Sequence, residues 1–246
     1  MKKIIVRFLH PAVFLILLLM GKIDLELWPW TLLAFFLFYV VGLEIGMHRY
    51  YSHRSFEMAP WKVSLITVLA LGAGTGSPMV WAGRHRKHHD KSDTSEDPHS
   101  PEHLGFFRVL TLTVFGTKIE GRYVRDFVKD SRQQFLHRYY TEILVVSVVL
   151  WATLAPGSCA MLYCLPVELA RLASGAINAF AHSPKWGTVF YDRNDRSRNL
   201  SGLIGNAFGI GLHHNHHDRP QEYRQNHREG EYDLSGWIIE RFLKSK

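Results

Sequence analysis

Cysteine is scarce in this chain of 246 residues, and its position limits what it can do. The two cysteines, Cys159 and Cys164, both lie within one apolar run. Such a pair provides neither a disulfide framework nor the thiolates of a zinc ribbon. Any metal ion that the chain binds must therefore be held by histidine, and carboxylates are the alternative ligands.

The chain also lacks the uniform distribution of apolar and polar residues along the sequence that is typical of a soluble protein. Its mean hydropathy of −0.07 averages long apolar runs with charged, histidine-rich segments. This mixture is typical of a membrane protein with a large extramembrane part. The net charge of +7 fits basic residues on the cytoplasmic side of a membrane, close to anionic lipid headgroups. Because the membrane accounts for the charge, we expect no nucleic-acid partner.

The apolar runs predict an all-α fold with a bundle of four transmembrane helices. A helical span takes about 17–25 mostly apolar residues. The predicted spans are residues 4–21, 27–47, 141–155 and 158–181. We expect segments 84–140 and 183–246 to form a mostly helical cap, so that residues 1–246 make one integral-membrane domain.

One further apolar segment, residues 59–82, is not predicted to cross the membrane. Gly72, Gly74 and Gly76 interrupt it, and a crossing would put the histidines before and after it on opposite sides. We expect an amphipathic or re-entrant segment on the membrane surface.

The distribution of basic residues predicts the orientation. All but two of the 29 lysines and arginines, Lys22 and Arg171, lie on the side of the predicted spans that carries both termini. The bias of lysine and arginine towards the cytoplasm therefore places both termini and the cap there. Glu168 and Arg171 lie three residues apart in the fourth span, where we expect them to pair inside the bundle.

Histidine clusters at the ends of the apolar runs predict a metal site. Residues three and four apart project from one helix face, and neutral imidazole is the commonest metal ligand. His182, four residues after Asn178 at the end of the fourth span, offers a ninth imidazole. The candidate ligands are His48, His53, His85, His88, His89, His182, His213, His216 and His217.

Nine imidazoles are too many for one ion and suit two ions with four or five ligands each. Ligation by nitrogen alone suits iron, copper or zinc. A site with two metals at a membrane face suits oxygen chemistry on a long hydrocarbon, which iron performs. Such chemistry requires one carbon to be held in place. We therefore expect an apolar tunnel walled by the second and fourth spans and by the segment around Thr75–Trp81.

Other residues near the clusters are predicted to support the ligands. Glu44 lies inside the second span, four residues before His48. We favour a role in accepting the second N–H of that imidazole, and direct ligation or an interfacial carboxylate are the alternatives. His214 lies between ligands and could point away. We expect structural or surface roles for the remaining histidines, which are His10, His103, His137 and His227.

The whole pattern resembles that of the membrane fatty acid desaturases, and most nearly the acyl-CoA Δ9 (stearoyl-CoA) group. The resemblance rests on His48-x4-His53, His85-x2-His88-His89, His213-x2-His216-His217 and Asn178-x3-His182, with Trp81 and Asp97-Pro98-His99 in support. It implies four transmembrane helices under a cytoplasmic cap, two iron ions held by the nine histidines, and Asn178 bound through water. Trp81, Asp97 and His99 are then expected to support the ligands.

The resemblance also implies the reaction, in which O2 and two electrons remove two hydrogens from a fatty acyl chain. With no fused cytochrome b5 domain, we expect a separate donor of cytochrome b5, ferredoxin or rubredoxin type and a bacterial inner-membrane location. Gly83 and Arg84 stand where the acyl-CoA enzymes have an Arg-Asp pair that helps to bind CoA, and Ile210 replaces a frequent glutamate. Acyl-CoA, acyl-lipid and acyl-carrier-protein substrates therefore all stay open.

Two other functions compete with desaturation. A hydroxylase or ketolase of the same histidine-box superfamily would use the same ligands on a lipid. A non-catalytic metal-binding or transport protein would carry polar ligands along its spans, whereas these gather at span ends and in the cap.

Overall fold

The computed structural model describes residues 2–114, 117–201 and 209–245. Within these ranges the chain is helical, and its extended pairings are two isolated bridges, Met58 with Lys244 and Thr188 with Asn199. The predicted all-α class is confirmed. The main helices are α1 (Lys2–Leu19), α2 (Trp28–Phe36), α3 (Pro60–Gly72), α4 (Pro78–Lys91), α5 (Pro101–Leu104), α6 (Phe106–Leu110), α7 (Ser131–Leu154), α8 (Pro156–Cys159), α9 (Leu165–Ala181), α10 (His213–Asp218) and α11 (Leu234–Ile238).

Two composite helices are long and apolar enough to cross a membrane. The first runs over Leu25–Ser52 and the second over Pro156–Ala181. Two further predicted spans correspond to α1, with 18 residues, and α7, with 24 residues. Both carry charged residues in the first turn, and α7 starts ten residues before the predicted span. By length and apolar composition, two of the four expected spans therefore qualify.

The second half of the first composite helix is a π-helix, Leu37–Ser52, which the sequence did not predict. Its hydrogen bonds span five residues, so positions five apart lie on successive turns and point in more similar directions than in an α-helix. His48 and His53 have this spacing, and the His53 amide donates to the His48 carbonyl at 3.2 Å. The two rings lie 5.0 Å apart between centroids. In an α-helix the same two side chains would point in different directions.

The segment predicted to lie on the membrane surface, residues 59–82, consists of two helices joined by a turn. Helix α3 packs so closely on the π-helix that a Cβ atom at Gly42 would lie 2.8 Å from the Leu69 carbonyl oxygen. Gly74 and Gly76 then adopt positive φ angles of 70° and 110°, which favour glycine. After this turn, α4 runs without interruption into the second histidine cluster, across the boundary expected near residue 83.

The expectation of a mostly helical segment over 84–140 is confirmed among the described residues, but the helices there are uneven in length. After Lys91 the chain forms only short helices until Ser131 among the residues described. Asp93 and Leu112 have positive φ, as does Gly105, and each turns the chain out of a helix. These irregular loops wrap the histidines, and the same holds for residues 183–201.

The predicted pair in the last composite helix is confirmed and extended. The Arg171 guanidinium donates to Glu168 at 2.9 Å, and Arg7 of α1 donates to the same carboxylate at 2.8 Å. Arg171 also donates to the Val6 carbonyl. The three side chains tie α1 to α9 beside the histidine cluster.

Candidate metal centre

The nine candidate histidines converge on one buried region from four parts of the chain. Eight of them form two groups in which the ligand atoms all lie within 4.8 Å of one another. We call them the first group, His48, His53, His85 and His216, and the second group, His88, His182, His213 and His217. Each group draws on several histidine clusters, because the π-helix, α4, α9 and α10 end at the same place.

His89 adjoins the first group. Its Nε2 atom lies 3.1 Å from that of His85 and 2.9 Å from that of His216. The arrangement therefore offers five imidazoles on one side and four on the other, and the binding of two ions stays a prediction.

The ring nitrogens are arranged as in ligands. In His48 and His182, Nδ1 points to a carboxylate and so carries the hydrogen, which leaves a lone pair on Nε2. These lone pairs face the Nε2 atoms of His216 and His213, each at 2.9 Å. Several imidazole nitrogens directed at one point, without thiolate, form a donor set that fits a transition metal.

Burial keeps most of these imidazoles neutral, which is the form that binds a metal. Removal from water, followed by the mutual repulsion of neighbouring imidazolium charges, lowers the pKa well below the usual value in six of them. They are His53, His85, His89, His213, His216 and His217.

Carboxylates orient four of the rings through Nδ1. Glu44 accepts from His48 at 2.8 Å, the contact that its spacing predicted. Asp97 accepts from His88 at 2.9 Å. The two remaining pairs are His182 with Asp93 at 3.0 Å and His217 with Asp195 at 3.2 Å.

Asp97 and His88 each favour the charged form of the other. Burial alone lowers the pKa of His88, but the Asp97 carboxylate reverses this effect and the pKa is raised. Burial alone would raise the pKa of Asp97, but His88 lowers it. The carboxylate therefore stays ionised and accepts a strong hydrogen bond from the ring.

Sequence reasoning missed Asp93 and Asp195. Asp93 accepts from His182 and from the backbone amide of Arg196, and it has a positive φ of 61°. Asp195 accepts from His217 and Ser197. Both lie in loops, so no helical spacing links them to the histidines that they contact.

A buried arginine lies behind Glu44. Arg49 donates to Glu44 at 2.9 Å and to Asp233 at 2.8 Å. Asp233 also accepts from the backbone amides of Gln225 and Gly236, the latter at the start of α11. The C-terminal segment is thereby tied to the carboxylate that orients His48.

The other predicted site residues lie close to the two groups. The Trp81 ring stacks on that of His85, with centroids 5.1 Å apart and planes at 24°. The His99 ring lies 5.4 Å from that of His88. Asn178 lines the same cavity as His213, and its amide donates to the Ser174 carbonyl at 3.2 Å. Its contact to a metal through water stays a prediction.

The histidines expected to have other roles lie away from the ring nitrogens of the two groups. His214 points to the Ser197 hydroxyl at 2.9 Å and accepts from the Tyr191 amide. His10 packs edge-on against Tyr163. His137 contacts the Ser77 hydroxyl. His103 and His227 contact backbone carbonyls.

A cavity of about 440 Å³ adjoins both groups, because His48, His85 and His213 line it. Its walls include Leu43 of the first composite helix, Ile177 of α9 and the segment Gly74–Ser77, Val80 and Trp81, as predicted for a tunnel. Side chains of α1 and α7 complete it, which was not predicted. The space can hold an apolar chain beside the imidazoles.

Comparison with known proteins agrees with this geometry. The sequence model of the family described as fatty acid desaturase matches residues 26–234. The chain is 30% identical over 225 residues to Delta-9 acyl-lipid desaturase 1 of Arabidopsis thaliana, which covers 88% of this chain and 73% of the relative. It is 28% identical to the sn-1 stearoyl-lipid 9-desaturase of Anabaena variabilis, over 83% of this chain and 75% of that protein.

A third relative is the sn-1 stearoyl-lipid 9-desaturase of Synechocystis, 28% identical over 97% of this chain and 76% of the relative. The family match spans most of the chain, including all three histidine clusters. The buried histidine groups are compatible with the metal centre of an oxidoreductase, and two apolar helices indicate a membrane protein. On this evidence the chain belongs to the fatty acid desaturase family.

Proposed function

We propose that the chain is a membrane-bound desaturase that removes two hydrogens from the acyl chain of a glycerolipid and leaves a cis double bond at the Δ9 position. The observation that carries the proposal is the pair of buried histidine groups beside one largely apolar cavity. The relatives named as Δ9 acyl-lipid desaturases support the bond position and the carrier. The absence of the Arg-Asp pair at Gly83 and Arg84 also favours a lipid over acyl-CoA.

Two iron ions are the proposed cofactor. The first group with His89 would hold one ion and the second group the other, with Asn178 reaching an ion through water. Iron supplies the activation of O2, which these side chains cannot provide alone. The chain orients neutral imidazoles through carboxylates, excludes water, and holds one methylene of the substrate beside the centre. The two electrons come from a separate donor of cytochrome b5, ferredoxin or rubredoxin type.

Four transmembrane helices are proposed for the single domain. Helices α1 and α7 supply the two spans beyond those that qualify on composition, and both carry large apolar side chains exposed along their length. They include Phe8, Leu15, Ile16 and Leu19 in α1, and Val146, Val149, Leu150 and Leu154 in α7. Exposed apolar surface of this extent is expected where lipid covers it. The biased distribution of lysine and arginine supports cytoplasmic termini and a cytoplasmic metal centre. The proposed location is a bacterial inner membrane.

Expression in a bacterial host whose own lipids contain no Δ9 double bond would test the reaction. We expect new monounsaturated chains in glycerolipids, with the double bond nine carbons from the carboxyl end when located by chemical derivatisation. The variant His216→Ala is the inactive control. Products that gain an oxygen atom instead of losing two hydrogens would replace the desaturase with the hydroxylase or ketolase.

A further inference from the structure

The cavity beside the metal centre is unusually cationic for a site that takes a hydrocarbon. Its lining includes six basic residues but a single carboxylate, Glu44, which is already bonded to His48 and Arg49. The basic residues are Lys2, Lys3, Arg7, Arg84, Arg138 and Arg171. An acyl chain alone offers nothing to balance this charge.

Half of these cations already have carboxylate partners. Arg7 and Arg171 share Glu168, and Lys2 pairs with Glu142 on α7 at 2.5 Å. Within the described parts of the chain, Lys3, Arg84 and Arg138 have no carboxylate within ion-pair distance. Lys3 and Arg138 are exposed, whereas Arg84 is partly buried. Three cations without carboxylate partners along one cavity suit an anionic ligand, and the need is greatest at Arg84, because a desolvated charge is costly without a partner.

Arg84 is the best placed of the three. Its Nε atom is buried and has no hydrogen-bond partner among the described residues, and its terminal nitrogen reaches only the Val114 carbonyl, at 3.5 Å. A planar guanidinium with free donors matches the paired oxygens of a phosphate.

The other two cations lie where a membrane surface would be. Lys3 is in the first turn of α1, and Arg138 is in the second turn of α7. Further along these helices, exposed apolar side chains such as Phe8 and Val146 suit the lipid interior. The cations therefore stand at the level of lipid phosphates, where lysine and arginine commonly lie.

We propose that this desaturase takes its acyl chain from a glycerophospholipid with a net negative headgroup, whose phosphate is bound by Arg84 with Lys3 and Arg138. The inference rests on the proposed function and names its substrate more closely. The proposed substrate is not an uncharged galactolipid. The phosphate that is bound belongs to the lipid headgroup and not to acyl-CoA or acyl carrier protein.

The test compares substrates on purified, iron-loaded enzyme in neutral detergent micelles. The substrates are distearoyl phosphatidylglycerol, distearoyl monogalactosyldiacylglycerol and stearoyl-CoA, each varied in mole fraction or concentration with an electron donor in excess. We expect the wild type to favour phosphatidylglycerol over the galactolipid by about tenfold in kcat/KM, the size typical of one charge-assisted interaction. Stearoyl-CoA should be the poorer phosphate-bearing substrate.

The variant Arg84→Gln should raise KM for phosphatidylglycerol by about tenfold, leave kcat nearly unchanged, and leave the galactolipid kinetics as they were. Arg84→Lys should restore part of the loss, since lysine keeps the charge but not the paired donors. Arg132→Gln is the matched control, because Arg132 is exposed on α7 and does not line the cavity. Native mass spectrometry of the same proteins, without turnover, should show less retained phosphatidylglycerol in Arg84→Gln alone.

The outcomes separate the headgroup site from the reaction. No unsaturated product from any substrate by iron-loaded wild type would overturn the proposed function itself. Product from all lipids without a headgroup preference would overturn the phosphate site and leave the reaction intact. Equal losses on both lipids in Arg84→Gln, with full iron content, would give Arg84 a structural role instead. A preference for stearoyl-CoA would overturn the lipid as the source of the phosphate.

Discussion

The two histidine groups differ in the hydrogen-bond partners of their Nδ1 atoms. Three of the four rings in the second group donate Nδ1 to an aspartate, namely His88, His182 and His217. In the first group, His48 alone has such a carboxylate partner among the residues described, and Nδ1 of His216 is buried without one. The first group is instead lined by Trp81, which stacks on His85.

This difference implies different tasks for the two proposed ions. A carboxylate behind an imidazole fixes its orientation and makes it a stronger base, which strengthens metal binding. The second group is therefore built to retain its ion. The first group has an extra ring in His89 but weaker support, and two of its members, His48 and His85, line the cavity. We infer that it holds the ion whose environment is more adjustable.

The largest effect that could break this comparison is the loss of His182. We expect His182→Ala to reduce iron from about two ions per chain to about one and to abolish turnover, because the proposed activation of O2 needs both ions. Metal analysis and product analysis on monodisperse protein measure both. His214→Ala is the control, since His214 belongs to the same histidine-rich region but points to Ser197. Full iron with near-normal activity would return His182 to a structural role.

The next effect isolates the carboxylates of the second group. Asp93→Asn keeps an acceptor near His182 but removes the charge, and such outer partners typically matter about 10–100-fold in affinity. We expect the second ion to be lost first when the purified variant is titrated with a chelator, while the ion of the first group stays. Wild-type resistance to the chelator would show that the aspartate adds nothing to retention.

The corresponding change in the first group should act on turnover more than on retention. Glu44→Gln alters the support of His48 alone and leaves the other four imidazoles of that site unchanged. We therefore expect iron content near that of wild type and turnover lower by about tenfold. Iron content and product formation are measured on the same preparations as for Asp93→Asn. If the two variants lose iron equally, the groups do not differ in the way that their carboxylates suggest. Wild-type turnover would make Glu44 a tolerated interfacial residue.

Much of this site could be predicted from sequence, and the exceptions have a physical pattern. Side chains on one helix are fixed relative to each other, so the contact of Glu44 with His48 followed from a spacing of four. His182 could be predicted because it ends an apolar run at the face where the clusters gather. Asp93 and Asp195 could not, because loops bring them to the rings and no local period records a loop path.

Two features of the fold were unpredictable for related reasons. A π-helix has the same apolar composition as an α-helix, so the hydrophobic pattern of residues 27–47 gave no sign of the widening that aligns His48 with His53. The cap was expected to be mostly helical, but residues 183–201 form turns and loops. Its loops are instead set by contacts such as Asp93 with His182, which only the assembled fold supplies.

The smallest expected effect concerns the aromatic support of the first group. Trp81 stacks on His85 and lines the cavity, so Trp81→Leu removes a contact worth about 0.5–1.5 kcal/mol beyond its area. We expect both ions to be retained and turnover to fall by about threefold, with a smaller loss in Trp81→Phe, which keeps a ring. Trp61→Leu is the control, because Trp61 is exposed on α3 and does not line the cavity.

A wider cavity could lower turnover by a different route, so activity alone is insufficient. Cobalt(II) substituted into the protein reports ligand geometry without substrate. A tilted His85 ring should shift the visible absorption of one of two cobalt ions, whereas a change confined to the cavity would raise KM and leave the spectrum as in wild type. An unchanged spectrum would show that Trp81 does not orient the ligands of the first group. A shift in the ion that Asp93→Asn releases would show that Trp81 supports the second group instead.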